Sequence, residues 1–394
     1  MSDSATLPRA YQGQDTAAKA IDAELASRYF QHVQIGDPAA DALITVLQQH
    51  PRKQGQEWVQ TAIDQGVCEI PDAPEEVRAF FEEAERVPEW FSPEKVLPGC
   101  RAFHRQSDLF LAAFVGAVLV EGFSTLISQS FSITGRLVDQ GVRRLKQNNR
   151  QLLEIFLPGG LERQGDGWKL SLRIRLVHAR VRHLLQDSEE WQADEWGTPL
   201  SSAHMAYAAA AFSALLIKRA EMLGAELNEE ERESFMLVWR YSSYLMGIHH
   251  DLLFEDEKSA LHLVEVGSTC EPPPTVESIL LANGLINSAP SVAGIKNQKE
   301  RAGLIRKIYT VSRALIGNEL ADKLQYPRYN TFGALGFFQG KSKLDQFLQK
   351  HFPKWQVKRH SNLFQLMMDV SHYETKGIRY RMPETVRAEA DKPI

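Results

Sequence analysis

The segment Ser171–Gln186 reads SLRIRLVHARVRHLLQ and gathers histidine, arginine and branched apolar side chains into one short stretch. Ile174, Val177, Val181 and Leu185 recur at the spacing of one helix face, and His178 falls on the same stripe. Two readings follow for an imidazole so placed. It is a hydrogen-bonded core residue, or it is an axial ligand to a haem iron, which requires a buried neutral imidazole. Arg173, Arg175, Arg180 and Arg182 fall mainly on the opposite or flanking faces. A guanidinium there either faces solvent or pairs with a haem propionate. His183 lies five positions on, turned by roughly 140°, and does not share the ligand position.

The helix expected before this one adds a second irregularity. Val138, Val142, Leu145, Leu152, Leu153 and Phe156 form an apolar stripe interrupted by Asn148 and Asn149. Asparagine is a poor mid-helix residue, and a buried amide needs a partner. The pair either faces solvent on a slightly rotated helix or turns an amide toward a ligand pocket, with Arg144 and Lys146 close by. A third polar run, His249-His250-Asp251, reads as loop polarity or as pocket lining. Adjacent residues diverge on a helix, so the two histidines cannot share one metal without a turn. The HExxH and Cys/His spacings of zinc sites are absent.

The elements that must position these groups are helical almost throughout. Ser27–Gln65 reads as amphipathic helical segments, and Pro88-Glu-Trp-Phe-Ser-Pro93 separates the acidic run Glu75–Glu85 from an apolar helix over Leu109–Leu126. A helix over Arg136–Phe156 breaks at Pro158-Gly-Gly160, and the histidine helix leads into a loop with Trp191, Trp196 and Pro199. Helices over Ser201–Leu223 and Asn228–Met246 follow, then a three-proline boundary at Glu271–Pro274 and a polar tail after Pro383, expected to be disordered.

Composition narrows the class. The 394-residue chain is 43% hydrophobic and 24% charged, with a formal net charge of −5, which speaks against a nucleic-acid binder. The apolar runs Leu109–Val120 and Ala206–Ile217 hold about a dozen residues each, the length of core helices rather than membrane spans. Met1–Gln14 lacks the pattern of a secretory signal. Three widely spaced cysteines form no disulfide framework, no CxxC site and no CxxCH for covalent haem. A cytoplasmic location is expected, with any haem held non-covalently.

Leu176-Val-His-Ala-Arg-Val-Arg-His-Leu-Leu185 resembles the histidine helix of the latex-clearing proteins, which are rubber oxygenases, and of the related MpaB-type oxygenases. Other landmarks agree in order. Val87-Pro-Glu-Trp90 with Leu97-Pro-Gly-Cys-Arg-Ala-Phe103 is similar to the family's opening segment, and Thr134-Gly-Arg-Leu137 to the start of the helix before the histidine. Trp196-Gly-Thr-Pro-Leu200, Ala211-Phe212, Leu223-Gly224, Trp239-Arg240 and Tyr244-Leu-Met-Gly-Ile248 complete the pattern, which spans residues 87–253.

The resemblance implies an all-α, multi-helix, globin-like core over residues 87–330 that binds haem b, with a helical N-terminal extension over 1–86 and a C-terminal extension over 331–394. It implies His178 as the ligand to iron, Thr134, Arg136 and Arg182 as further cofactor-binding residues, and dioxygen chemistry opposite the histidine. One stretch departs from the family. Latex-clearing proteins carry an arginine, two residues, then Lys-Thr on the distal side; here Arg144 matches and Gln147-Asn148 replaces Lys-Thr. Lys146 sits one position early, a rotation of about 100°. A shift of one residue would instead pair Arg143 with Lys146 at the family's spacing. The candidate catalytic set is therefore Arg144, Asn148 and Lys146, without a distal lysine ligand or rubber as implied substrate. The expected activity is haem-dependent oxidation or cleavage of an apolar, isoprenoid-like small molecule or prenyl chain by dioxygen. A non-catalytic haem sensor or carrier and a cofactor-free helical interaction protein are the alternatives.

Overall fold

The computed structural model describes residues 7–134 and 149–340, together with 343, 383, 385 and 386. Most of the 331–394 segment and its polar tail lie outside them, as do Gly135–Asn148. The fold is all-α, with no strand among the described residues.

Several helices begin where the sequence offers a side-chain cap. Asp22 accepts from the backbone N–H groups of Glu24 and Leu25 to start Ala23–His32, and Asp37 accepts from Ala40 to start Pro38–Gln48, whose proline sits at the first turn. Asn228 and Glu231 close a capping box on Glu229–Leu245, and Asp256 with Ser259 does the same for Glu257–Cys270. Helices over Arg52–Asp64, Glu75–Glu85, Leu97–Arg105, Asp166–Gln186, Val276–Val292 and Gln298–Ile316 complete the framework.

One apolar core joins them, running from Tyr11 in the N-terminal segment to Tyr326. At its centre Phe103, Phe110, Phe156 and Phe235 stack, with ring centroids 4.5 Å apart for Phe156 and Phe235 and 4.6 Å for Phe103 and Phe156. Leu97–Arg105 approaches Glu229–Leu245 so closely that a Cβ on Gly99 would lie 2.7 Å from the Ser234 carbonyl carbon. The Gly99 N–H donates to Ser234 Oγ at 2.8 Å across that contact. The glycine of the Leu97-Pro-Gly motif is thus a packing requirement.

Two helices expected to be regular instead carry π-turns, at Phe114–Val118 and Ala211–Leu215. The two turns face each other, with Phe114 and Phe212 rings 5.4 Å apart at 71°. A π-turn inserts one extra residue into the helical ladder, which no apolar periodicity announces. Among the described residues no single helix is long and apolar enough to cross a membrane.

Candidate active site

His178 rides on Asp166–Gln186, a helix five residues longer at its N-terminus than the periodicity predicts. The extension is anchored by Trp168, fully buried beneath the Arg163 guanidinium at 4.1 Å. Ile174, Val181 and Leu185 are buried, while Val177 and His178 are half-buried. Leu172, Leu176, Ala179 and Arg182 are buried as well, so the helix is covered on more than the single stripe read from sequence.

The arginines of this helix do not form a solvated face. Arg173 pairs with Asp64 at 2.6 Å, and Arg175 grips both carboxylate oxygens of Asp37 at 2.6 and 2.9 Å. Arg180 donates to the Pro383 carbonyl at 3.1 Å. Arg182, expected on an outer or flanking face, is only 2% exposed. It pairs with Asp41 and donates to the carbonyls of Pro199 and Leu200 at 3.2 and 3.0 Å. Its partners lie far off in the chain, which is why a helical wheel turns it outward. As placed, its charge is spent on Asp41 and on holding Leu200, whose φ of +47° lies in the left-handed region. Three ion pairs and two further hydrogen bonds therefore pin the helix that carries His178 to Arg52–Asp64, to Pro38–Gln48 with its cap Asp37, and to the 199–200 turn.

The Arg175–Asp37 pair passes directly over Gly247. That residue has φ +78°, and a Cβ there would lie 2.8 Å from Arg175 Cζ. Gly247 belongs to the Tyr244–Ile248 motif, and its bare backbone makes room for the clamp.

Asn149 is fully buried, and neither its Oδ1 nor its Nδ2 has a hydrogen-bond partner. The solvent-facing alternative fails at this residue. On the neighbouring Glu229–Leu245 helix, Trp239 Nε1 and Ser243 Oγ are likewise buried and unpaired. That helix touches the His178 helix through Ser171 and Ser242, whose hydroxyls lie 3.3 Å apart. It touches the Asn149 segment through Phe156, whose ring lies 6.5 Å from Trp239, and through Gln151, which donates to Met246 Sδ at 3.0 Å. Each unpaired buried group costs about 1–3 kcal/mol unless something polar meets it. Three such groups on adjoining elements in apolar surroundings suit a ligand with a few polar atoms.

The remaining predicted residues divide. Thr134 is buried, and its hydroxyl donates to the Ser130 carbonyl at 2.7 Å, closing the end of Ile127–Ile133. Arg136, Arg144, Lys146 and Asn148 lie outside the described residues. His183 is half-buried, 3.4 Å from Asp187 one turn on along its own helix. His249 and Asp251 meet His32, which no motif or spacing connects with them.

Residues 100–338 match the model of the catalytic domain described as ER-bound oxygenase mpaB/B'/rubber oxygenase. The chain belongs to this MpaB/rubber oxygenase family. The match extends well past the 87–253 span of the sequence motifs, through the helices that follow Glu271–Pro274, and begins after the helices of the first 85 residues. The rubber oxygenase of Streptomyces sp. (strain K30) is 24% identical over 190 residues, 46% of this chain and 45% of that protein. The chain thus spans under half the length of this curated relative. A latex-clearing protein solved in its closed state superposes with a TM-score of 0.62 at 19% identity, over 86% of this chain and 89% of that one. That likeness shows the fold of a latex-clearing protein over 86% of the chain.

Proposed function

We propose that the protein is a b-type haem-dependent oxygenase that uses dioxygen to oxidise or cleave an apolar substrate, with His178 as the protein ligand to iron. Family membership supports the oxygenase class. The observation that carries the cofactor is the buried, unpartnered amide of Asn149, seated on an element that adjoins the helix packed against the His178 helix. An orphaned amide, with Trp239 and Ser243 also unpaired on an adjoining helix, is out of place in a finished core and at home beside a bound group.

Haem, when bound, supplies the redox-active iron that dioxygen chemistry requires. His178 would hold it through an imidazole whose helix is pinned by Arg173, Arg175 and Arg182, so the ligand keeps its position. Asn149 would donate a preorganised hydrogen bond into the pocket. By the family alignment, Arg144 and Asn148 would donate to dioxygen, with Lys146 turned away. The apolar side chains around the π-turns, Phe114 and Phe212 among them, would exclude water and accept an alkene or alkyl chain. A short prenyl chain or lipid suits the cytoplasmic location proposed from three free thiols, two of them buried.

The purified protein should carry about one non-covalent haem per chain, seen as a Soret band and removed by acid–butanone extraction. His178→Ala should lose the pigment and His183→Ala should keep most of it, because the two imidazoles leave different sides of one helix. Equal loss in both variants with helicity intact, or a colourless protein that ignores added hemin, would sink this reading.

A further inference from the structure

His32 is the last residue of Ala23–His32, and its side chain is 3% exposed. Its Nδ1 lies 2.8 Å from the Arg28 carbonyl oxygen one turn earlier. A carbonyl only accepts, so Nδ1 carries the proton and Nε2 carries a lone pair. That Nε2 is buried and has no hydrogen-bond partner.

It is aimed at the turn after Glu229–Leu245. There the Leu252 N–H donates to the His249 carbonyl at 3.0 Å, which folds His249 and Asp251 toward each other. The Asp251 N–H donates to His249 Nδ1 at 3.3 Å, so this ring nitrogen is unprotonated, and a cation would take the place of that N–H on its single lone pair. Asp251 Oδ2 lies 3.4 Å from His249 Nδ1 and 3.9 Å from His32 Nε2. One donor atom from each of the three residues falls within 4.8 Å of the others. Three acceptor groups converge with no side-chain proton between them, and the buried His32 Nε2 is the one without a hydrogen-bond partner. The two adjacent histidines still do not share the site: His249 enters it with Asp251, and the second imidazole comes from His32 outside the run.

We propose that His32, His249 and Asp251 bind a divalent transition-metal ion of the zinc type, clasping the end of an N-terminal helix to the loop that leaves the catalytic domain's Glu229–Leu245 helix. Two imidazoles and one carboxylate suit zinc and its neighbours, whereas magnesium and calcium take oxygen ligands. Zinc bonds of about 2.0–2.1 Å in a tetrahedron set ligand atoms roughly 3.3–3.4 Å apart. The Asp251–His249 separation already matches, and the Asp251–His32 separation closes with a shift of a few tenths of an ångström. His249 and Asp251 are 33% and 42% exposed, which gives the ion an entry path and a water for the fourth position. His250 stays outside, 83% exposed, with Nε2 3.2 Å from Asp251 Oδ1, where it steadies the carboxylate from behind. Arg28 ties the two sides further by donating to the Asp251 carbonyl at 3.4 Å.

The clasp bridges two parts of the chain that the family match separates, because His32 precedes residue 100 and the other two ligands lie inside the matched region. Asp37, just beyond His32, clamps Arg175 on the His178 helix. The metal therefore secures the same N-terminal segment that braces the histidine helix.

The test uses untagged, full-length protein dialysed against chelator and titrated with Zn²⁺ by calorimetry. One ion per chain is expected, in the parent and equally in the His178→Ala variant, which separates this site from the haem reading. His249→Ala and Asp251→Asn should weaken binding at least about tenfold, and His250→Ala should change it less than about threefold. His32→Ala should do the same as His249→Ala. If that variant does not fold by circular dichroism, the two turn variants still decide. No Zn²⁺ uptake by the parent, or undiminished uptake by Asp251→Asn, would overturn the proposal.

Discussion

Replacing Asn149 by leucine, its near-isostere, should move the ligand-free and the haem-loaded protein in opposite directions. Both polar atoms of this fully buried side chain are without a hydrogen-bond partner in the protein. Burying such an amide without a hydrogen bond costs about 1–3 kcal/mol in proteins. An apolar group of the same size removes that cost, so Asn149→Leu should stabilise the haem-free form by about 1–3 kcal/mol. With haem bound, the amide's donor and acceptor are expected to be used. The substitution should then weaken retention of haem, or of a small polar ligand beside it, by roughly fivefold to a hundredfold for a bond of about 1–3 kcal/mol. Thermal unfolding of apo and reconstituted protein, read side by side with hemin titration, measures both effects. A haem-free variant that loses stability while hemin affinity is unchanged would show that Asn149 serves the core and not a pocket.

Further outcomes follow from particular contacts. Gly99→Ala puts a methyl 2.7 Å from the Ser234 carbonyl carbon, so a loss of about 1–3 kcal/mol is expected in thermal unfolding, with haem affinity following only through stability. Arg182→Met removes the partner of Asp41 and the donors to residues 199 and 200, and should cost about 3 kcal/mol in a denaturant titration. Burial holds the His104 imidazole below its ordinary 6.5, against the raising effect of its bond to the Phe156 carbonyl. The unfolded chain therefore takes up this proton at higher pH than the folded one. Stability from this group is present above pH 6.5 and lost as pH falls below it. His104→Gln should flatten the stability profile as pH falls below 6.5, and an unchanged slope would contradict the assignment.

The helices were largely legible because their signals are local. Ser201–Leu223 and Asn228–Met246 match helical stretches at residues 202–222 and 229–245, and Asn228 with Glu231 spells its own capping box. The histidine helix was found through apolar spacing, but its first turn was missed, because Trp168 buries itself on a different side from Ile174 and Val181. The π-turns were invisible for a related reason. They shift the ladder by one residue inside runs where almost every side chain is apolar, so no polar residue marks the change of phase.

The site was legible only as far as each residue's fate depends on its own helix. His178 could be picked out because its stripe lies within sixteen residues of sequence. Arg182 could not be placed, since what draws it inward is Asp41 and a pair of carbonyls near residue 200, and a charge is buried only where a partner waits. Asn149 stood at the boundary: its poor fit to a helix interior was visible, but its full burial with both amide atoms unpaired depends on packing that its own helix does not announce. His32 carries no motif, and its meaning arises from a ring proton held by its own helix and two groups supplied by a distant turn. In each case the sequence marks a residue that does not suit its local element, and the tertiary partner decides whether that mismatch becomes a tether, a pocket or a ligand.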